Sequence, residues 1–465
     1  MTNEAGHLLI IGGSDAGISA ALQAKELQPD LAVTLLLADE YPNLSICGLP
    51  YAVGREVTDW HALAHRNLTE LTATGIKFQM NMVADQIDTT KREVQAHSRD
   101  DSVHKTFHYT KLVVATGAQP KFSGITGVSL ATTQQPAGKI RAMHTMADYF
   151  GLERDLDSDK VQHVAIIGAG YIGIEMAEAL RHRHMDVTIF QRGAEVLSTV
   201  DADLGQLLQQ KLIEHGVNVL TKTAVSAVEA TDVGATIIDV TKQSYHFDLV
   251  LVVVGVQPNT KLLVQAGAET GIAGAIKVNE YMQTSLPDIW AAGDLVETKH
   301  RLLGTTYLPL GTTAHKQGRI AGYNVAGVTR TFKGSIGTQV LKAFDLIIAR
   351  TGLLTKEAEQ AGFVPFTTTI DVDDHKAYYP GAQKIKIRLT GDQNTGQLLG
   401  AQLIGHYGSE VAKRNDVFAT AIFNQMKVAE VCDLDLSYSP PVGSPWDAVQ
   451  LAAQDWERQL YRLKR

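Results

Sequence analysis

The feature that most constrains this chain is a strand, glycine turn and helix pattern that occurs twice, about 155 residues apart. The first copy has an apolar run at 7–11, the turn Gly-Gly-Ser-Asp-Ala-Gly at 12–17 and a helical stretch at 18–27. The second copy spans 161–183 and has the turn Gly-Ala-Gly-Tyr-Ile-Gly at 168–173. A second apolar strand follows each copy. The repeat predicts two dinucleotide-binding units in a doubly wound α/β fold.

In the first turn, Ser14 stands at the middle glycine position of a GxGxxG pattern. Such a turn lets the backbone approach a pyrophosphate, and the N-terminal N–H groups of the following helix attract its charge. Asp39 follows the next strand (32–37), where an acid can hydrogen-bond a ribose hydroxyl, and Glu40 is a weaker candidate. We assign this site to FAD, with the candidate residues Gly12, Ser14, Asp15, Ala16, Gly17, Asp39 and Glu40.

The second turn is a full GxGxxG, and its following strand (187–190) runs into Gln191 and Arg192 without an acid. An arginine at this place can pair with a 2′-phosphate, which favours NADPH over NADH. The alternative is that Arg192 is an ordinary solvated arginine. The candidate residues of this nicotinamide site are Gly168, Gly170, Tyr171, Ile172, Gly173, Glu175, Gln191 and Arg192.

Further apolar strands run into glycines, in the segments 111–117, 248–255 and 288–294. From about 331 the glycine turns stop, strand-like alternation appears at 384–389 and 398–404, and a helical pattern covers about 410–426. These changes predict a separate C-terminal α+β domain. No low-complexity linker separates the parts, so we expect them to pack closely.

Composition excludes several classes of function. A formal net charge of −8 argues against a nucleic-acid partner, which requires a basic surface. No apolar run reaches 18 residues, and the N-terminus has no secretion pattern, so we expect no membrane partner and a cytoplasmic location. The two cysteines, Cys47 and Cys432, cannot make a disulfide framework, and no Cys/His cluster predicts a metal site.

Cys47 lies in Ser-Ile-Cys-Gly-Leu-Pro-Tyr at 45–51, shortly after the proposed FAD ribose acid. Gly48 and Pro50 predict a sharp turn into a helix, since proline suits the first helical position. A helix N-terminus favours the thiolate, which is the form that attacks disulfides and peroxides. The alternative is a small buried side chain, the role that we assign to Cys432.

Together these motifs resemble the pyridine-nucleotide disulfide oxidoreductases. The single Cys47 in Cys-Gly-Leu-Pro-Tyr is similar to the single-cysteine branch: coenzyme A-disulfide reductase, NADH oxidase, NADH peroxidase and persulfide reductases. Similarity also covers 309–311, 317–319 and Ser-Tyr-Ser-Pro-Pro at 437–441. The CxxxxC pair of the two-cysteine members is absent, which argues against an internal disulfide cycle in this chain.

The resemblance implies FAD, NADPH or NADH, and a homodimer formed by the C-terminal domain. It divides the chain into a discontinuous FAD domain at 1–125 and 260–330, an NAD(P)H domain at 126–259 and a dimerisation domain at 331–465. Asp294 is implied to contact the ribityl–phosphate region of FAD. Tyr378 and Tyr438 resemble two tyrosines that reach the cysteine of the partner subunit. Further implied cofactor residues are Ala115, Thr116, Gly117, Gly255, Gly293, Pro309, Leu310 and Gly311.

Two departures from the family bear on the electron acceptor. Asp15 stands where NADH oxidase and peroxidase have a histidine, and its charge should oppose thiolate formation. Ile46 stands where coenzyme A-disulfide reductase has an asparagine that helps to hold pantetheine. We therefore expect reduction of a small thiol disulfide or persulfide, with an NADH oxidase or peroxidase that forms a Cys47 sulfenic acid as the alternative. A redox-sensing flavoprotein of low turnover is the alternative from another class.

Overall fold

A computed structural model of the chain contains three five-stranded sheets, two parallel and one antiparallel. The structure describes residues 6–122, 124–135, 139–158 and 160–465. The predicted combination of two Rossmann-like units with a C-terminal α+β domain is confirmed. The predicted domain boundaries stay a prediction.

The first parallel sheet carries the first glycine turn at the carboxyl end of its central strand, His7–Ile11. This strand pairs with one neighbour on each side, so the turn opens at the point where the strand order reverses and where ligands of such sheets bind. Its inner strands read as apolar runs because both faces are covered, whereas the edge strand Ile76–Gln79 alternates apolar and polar residues. In spatial order they are Ile289–Ala291, Lys111–Val114, His7–Ile11, Ala32–Leu36 and Ile76–Gln79.

The second parallel sheet repeats this arrangement around its own glycine turn. Its central strand begins at His163 rather than at the predicted residue 161. His163 pairs with Asp186, the first residue of the neighbouring strand. Both turn helices begin earlier than predicted, at Asp15 and Tyr171, because the last residues of each turn already form the first helical turn. The strands are Val217–Leu220, Asp186–Phe190, His163–Ile167, Leu249–Val252 and Ile140–Arg141.

The C-terminal sheet is antiparallel and longer-stranded, as the alternation predicts, with the strands Gln339–Ala343, Leu346–Gly352, Leu398–His406, Lys384–Asp392 and Pro365–Asp373. One apolar cluster joins side chains of all three regions, including Leu49, Ile174 and Leu341, so the parts pack closely as expected. The helix predicted at 410–426 spans Val411–Phe423. Within the described ranges, no helix is long and apolar enough to cross a membrane.

The remaining strands form small sheets and hairpins: Met82–Asp88, Glu93–Ser98 and His104–His108; Val225–Ala230, Ala235–Asp239 and Ser244–Phe247; Ala118–Pro120 with Val256–Pro258; and Thr298–His300 with Gly304–Thr306. The α-helices are Asp15–Leu27, Leu49–Val53, Leu68–Ala73, Leu130–Thr133, Met146–Leu156, Tyr171–His182, Ala202–Glu214, Lys261–Gln265, Gly311–Val325, Thr355–Gln360, Val411–Phe423, Val428–Cys432 and Ala448–Leu463. Short 3₁₀ turns cover Ile46–Gly48, Trp60–Leu63 and Ile272–Gly274.

Candidate active site

The first glycine turn is held by backbone contacts that leave no room for a side chain at Gly12 or Gly17. Gly12 has φ +107°, and a Cβ on Gly17 would lie 1.9 Å from the Gly12 carbonyl oxygen. The helix that follows has Ser14 at its N-cap without a side-chain hydrogen bond. Its first N–H groups have no intrahelical acceptor and are available to an anion. These features fit the pyrophosphate of a dinucleotide.

In the second turn, one glycine packs tightly against the backbone, as in the first turn, and another faces open space. A Cβ on Gly173 would lie 2.0 Å from the Gly168 oxygen, whereas a Cβ on Gly170 would meet nothing within 4 Å. The helix has Gly170 at its N-cap, again without a side-chain hydrogen bond. Tyr171 is half-buried, with its hydroxyl 3.4 Å from that of Thr199. The open space above Gly170 fits a second pyrophosphate.

Two acidic side chains of the FAD unit have the properties that ribose and ribityl hydroxyls require. One oxygen of Asp39 accepts the Tyr41 N–H at 2.9 Å, which leaves the other oxygen without a donor in the described residues. Burial and the charge of Asp15 raise the pKa of Asp294 to about 6, and no described residue donates a hydrogen bond to its carboxylate. Glu40 instead accepts from Asn81 Nδ2 at 2.6 Å. The residues therefore fit FAD, with Asp39 better placed than Glu40.

Three other predicted flavin residues lie close to the first glycine turn, because Ala115 packs against Gly12, Gly293 against Ala16 and Gly311 against Asp15. Gly293 has φ +92°, and its N–H donates to Gln317 at 2.9 Å. Pro309 and Leu310 lead into the helix that begins at Gly311, whose N-cap makes no side-chain hydrogen bond. The strand Lys111–Val114 ends just before Ala115, Thr116 and Gly117, and the N–H of Asn259, four residues after Gly255, donates to the Gly117 carbonyl at 2.9 Å.

At the strand end of the second unit, Arg192 is exposed and has no ion-pair partner in the described part of the chain. Gln191 turns its amide to the Glu195 carbonyl at 2.9 Å, so it stabilises the local loop. An exposed guanidinium without a partner fits both the predicted 2′-phosphate contact and an ordinary solvated arginine, so this contact stays a prediction.

Cys47 lies in the 3₁₀ turn Ile46–Gly48, directly before the helix Leu49–Val53, so the predicted sharp turn into a helix is confirmed. Pro50 occupies the first turn of that helix. Gly48 is required by packing, because its Cβ would lie 2.5 Å from Leu63 Cδ2. The residue reaches solvent, which leaves its thiol open to an acceptor.

The expectation that the helix N-terminus favours the Cys47 thiolate is wrong for the protein alone. Burial by the surrounding protein, followed by the charges of Glu175, Asp15 and Asp294, raises the pKa of the Cys47 thiol. A five-residue helix has a weak dipole, which cannot offset three carboxylates. The charge of Asp15 is one of these causes, which agrees with the expectation that Asp15 opposes the thiolate.

Glu175 comes from the helix of the second glycine turn and lies against the Cys47 helix. The Tyr51 hydroxyl donates to Glu175 Oε1 at 3.4 Å. Burial raises the pKa of Glu175 to about 7. The assignment of Glu175 to the nicotinamide site stays a prediction, and the structure adds that its charge also acts on Cys47.

Replacing Glu175 by Gln should make Cys47 more reactive. Removal of the charge favours the thiolate, so alkylation by iodoacetamide at pH 8 should be several-fold faster than in the wild type. The wild-type pH profile should be flattened as Glu175 ionises near pH 7, because each increase in its negative charge opposes thiolate formation. Glu214→Gln, at an exposed glutamate, is the matched control. Equal alkylation rates in wild type and Glu175→Gln would contradict this coupling.

Tyr378 and Tyr438 are exposed, by 72% and 46%, and their phenol groups lie close enough to interact. Within one chain, the ionisable groups that raise the pKa of Cys47 are the carboxylates of Glu175, Asp15 and Asp294, and not these tyrosines. The pair therefore presents two phenols at the surface of the C-terminal domain, as a role towards a partner subunit requires.

Sequence reasoning missed two histidines beside the first turn. His315 Nε2 lies 3.3 Å from Asp15 Oδ1, and the His65 ring lies against His315 with 6.2 Å between the ring centres. No spacing rule could have indicated them, because Asp15, His65 and His315 come from three distant segments. Lys25, at the C-terminal end of the first helix, donates to the Pro29 and Leu31 carbonyls.

Comparison with known proteins agrees with this geometry. Residues 6–318 match the family model described as pyridine nucleotide-disulphide oxidoreductase, and residues 338–448 match the dimerisation domain of that family. An NAD(P)H coenzyme A polysulfide/persulfide reductase of Pyrococcus horikoshii is 33% identical over 96% of this chain and 97% of its own. An NADH oxidase of Methanocaldococcus jannaschii is 30% identical over 97% of this chain and 99% of its own.

Among solved structures, an NAD-dependent persulfide reductase from A. fulgidus superimposes with a TM-score of 0.92 and 32% identity, covering 98% of this chain and 84% of that one. The chain belongs to the pyridine nucleotide-disulphide oxidoreductases. It is an FAD-dependent enzyme that uses NADH or NADPH, which confirms the predicted family, enzyme class and cofactors.

Proposed function

We propose that this enzyme reduces a small disulfide or persulfide at Cys47 with electrons from NADPH. The observation that carries the proposal is a single exposed thiol beside the FAD turn, with no second cysteine near it, since Cys432 is buried in the C-terminal domain. A lone thiol can attack an external sulfur and hold one half of it as a mixed disulfide. Bound FAD supplies the two electrons that reduce this bond.

The residues of this chain prepare the thiol for that step. Asp39 and Asp294 hold FAD, and the second glycine turn holds NADPH with Arg192 at the 2′-phosphate. Glu175, with a pKa of about 7, stores a proton beside Cys47 that the departing thiolate can take up. We assign the remaining predicted cofactor residues to the same two sites.

The alternative, an NADH oxidase or peroxidase, is favoured by the relative named NADH oxidase and by the two histidines beside Asp15. Acceptor assays distinguish the two. With NADPH in anaerobic buffer, we expect rapid turnover with coenzyme A disulfide or polysulfide and slow turnover with glutathione disulfide. Oxygen uptake or peroxide consumption faster than sulfur reduction would reject the proposal in favour of the oxidase. Flavin that NADPH does not bleach would favour the redox-sensing alternative.

Replacement of Arg192 by Ala should lower kcat/KM for NADPH by roughly 10- to 100-fold, because a hydrogen bond to a charged group contributes about 1.5–3 kcal/mol. The value for NADH should stay near that of the wild type, since NADH lacks the 2′-phosphate. Steady-state kinetics with both donors measure this, with Arg462→Ala as the control at an exposed arginine. A wild-type enzyme that strongly prefers NADH would contradict the proposed contact.

We further propose a homodimer in which Tyr378 and Tyr438 of each subunit assist the Cys47 of the other, and a cytoplasmic location, since unpaired thiols suit a reducing compartment. A phenol beside the departing thiolate can donate a proton or a hydrogen bond. Tyr438→Phe should lower kcat for the disulfide by roughly 100-fold while NADPH still bleaches the flavin at the normal rate. Tyr461→Phe is the control at another exposed tyrosine, and equal kcat values in the two variants would contradict the role.

A further inference from the structure

Asp15, His65 and His315 bring three metal-binding groups together beside the first glycine turn. One ligand atom from each lies within 4.8 Å of the other two. Two imidazoles and a carboxylate form the donor set of open transition-metal sites, including many zinc sites with three protein ligands. We propose that these residues form a reversible binding site for Zn²⁺.

The orientation of His315 supports metal binding. Its Nδ1 lies 3.0 Å from Ser19 Oγ, one turn along the helix from Asp15. When Nδ1–H donates to this hydroxyl, the lone pair of Nε2 faces Asp15 Oδ1, 3.3 Å away. A hydrogen bond from the second ring nitrogen is the usual way in which proteins fix a metal-binding histidine. Ser19 therefore acts as a positioning residue.

A second group in the structure has similar residues but a different charge balance. Glu56, Glu178 and His182 also offer three ligand atoms within 4.8 Å of one another. There, however, the Lys342 ammonium already pairs with the buried Glu178 carboxylate, so a lysine occupies the place of a cation. In the described residues Asp15 pairs with no lysine or arginine, only with His315. The first group can thus accept a cation, and the second serves as an internal control.

Three protein ligands leave a fourth position of a tetrahedral zinc ion open to water or to an incoming thiolate. The site lies near the reacting centre, because the charge of Asp15 reaches Cys47. The two histidine side chains remain accessible enough for an ion to enter, with His315 45% exposed. Binding does not depend on which acceptor the enzyme reduces.

The test titrates Zn²⁺ into the FAD-loaded Cys47→Ser protein, which removes the reactive thiol as a competing ligand, and reads affinity by competition with a chromophoric zinc chelator. We expect one saturable site per chain. Ser19→Ala in this background should weaken binding by about 10- to 100-fold, the usual effect of losing a hydrogen bond to a ligand. His65→Ala and His315→Ala should weaken it further, and His182→Ala should leave it unchanged.

Flavin content, measured for each variant, separates loss of a ligand from loss of the fold. The proposal is overturned if no saturable site is found, if His65→Ala and His315→Ala bind Zn²⁺ as well as their parent, or if His182→Ala weakens binding equally. Because these readouts are binding constants, failure here is distinct from failure of the proposed sulfur reduction.

Discussion

Cys47→Ser should lose at least about 1000-fold in turnover with coenzyme A disulfide or polysulfide, because removal of a catalytic nucleophile eliminates the covalent route. Flavin reduction by NADPH should continue at the wild-type rate, since the second glycine turn and Arg192 are unchanged. Stopped-flow bleaching of the flavin and steady-state acceptor assays measure the two halves separately.

The control for this variant is Cys432→Ser. Cys432 is buried among apolar side chains, and its thiol lies 3.2 Å from Glu457 Oε2, a contact that a serine hydroxyl can also make. Its turnover should equal that of the wild type. Disulfide reduction by Cys47→Ser would contradict the proposal that Cys47 is the nucleophile. Loss of turnover in both variants would indicate general destabilisation of the protein.

Gly17→Ala should yield protein without bound FAD. The new Cβ would lie 1.9 Å from the Gly12 oxygen and 2.9 Å from its carbonyl carbon, both backbone atoms that cannot move aside. Relief requires the helix Asp15–Leu27 to shift away from the strand His7–Ile11, which opens the pyrophosphate site. Such overpacking costs about 1–3 kcal/mol of the free energy of unfolding.

The matched variants lie in the second turn. Gly170→Ala adds a methyl group where nothing lies within 4 Å, so FAD content and melting temperature should stay normal while KM for NADPH rises. Gly173→Ala repeats the clash, at 2.0 Å from the Gly168 oxygen, and should impair NADPH binding more strongly. The ratio of flavin to protein absorbance and thermal unfolding measure these effects. Full FAD content in Gly17→Ala would contradict the packing argument.

The order of elements could be predicted from local patterns. Glycines 12, 17, 168 and 173 are dictated by close backbone approach, so the two turns, their strands and their helices follow from the sequence. The turn at Cys47 was predictable for the same reason, because proline and glycine constrain the backbone locally. The two helices begin at Asp15 and Tyr171, earlier in the chain than predicted. The residues of a glycine turn lack the apolar spacing from which the start of a helix is predicted.

Only the tertiary structure decided the environment of the thiol. The sequence placed a helix N-terminus beside Cys47, yet Glu175 comes from a helix more than 120 residues away, and its charge and the surrounding protein reverse the expected effect on the thiol. Likewise, the sequence shows that Asp15 stands where NADH oxidase and peroxidase have a histidine. It does not show that Asp15 lies beside His65 and His315. Local backbone geometry follows from adjacent residues, whereas the electrostatics of a site depend on groups that only the packing of distant elements brings together.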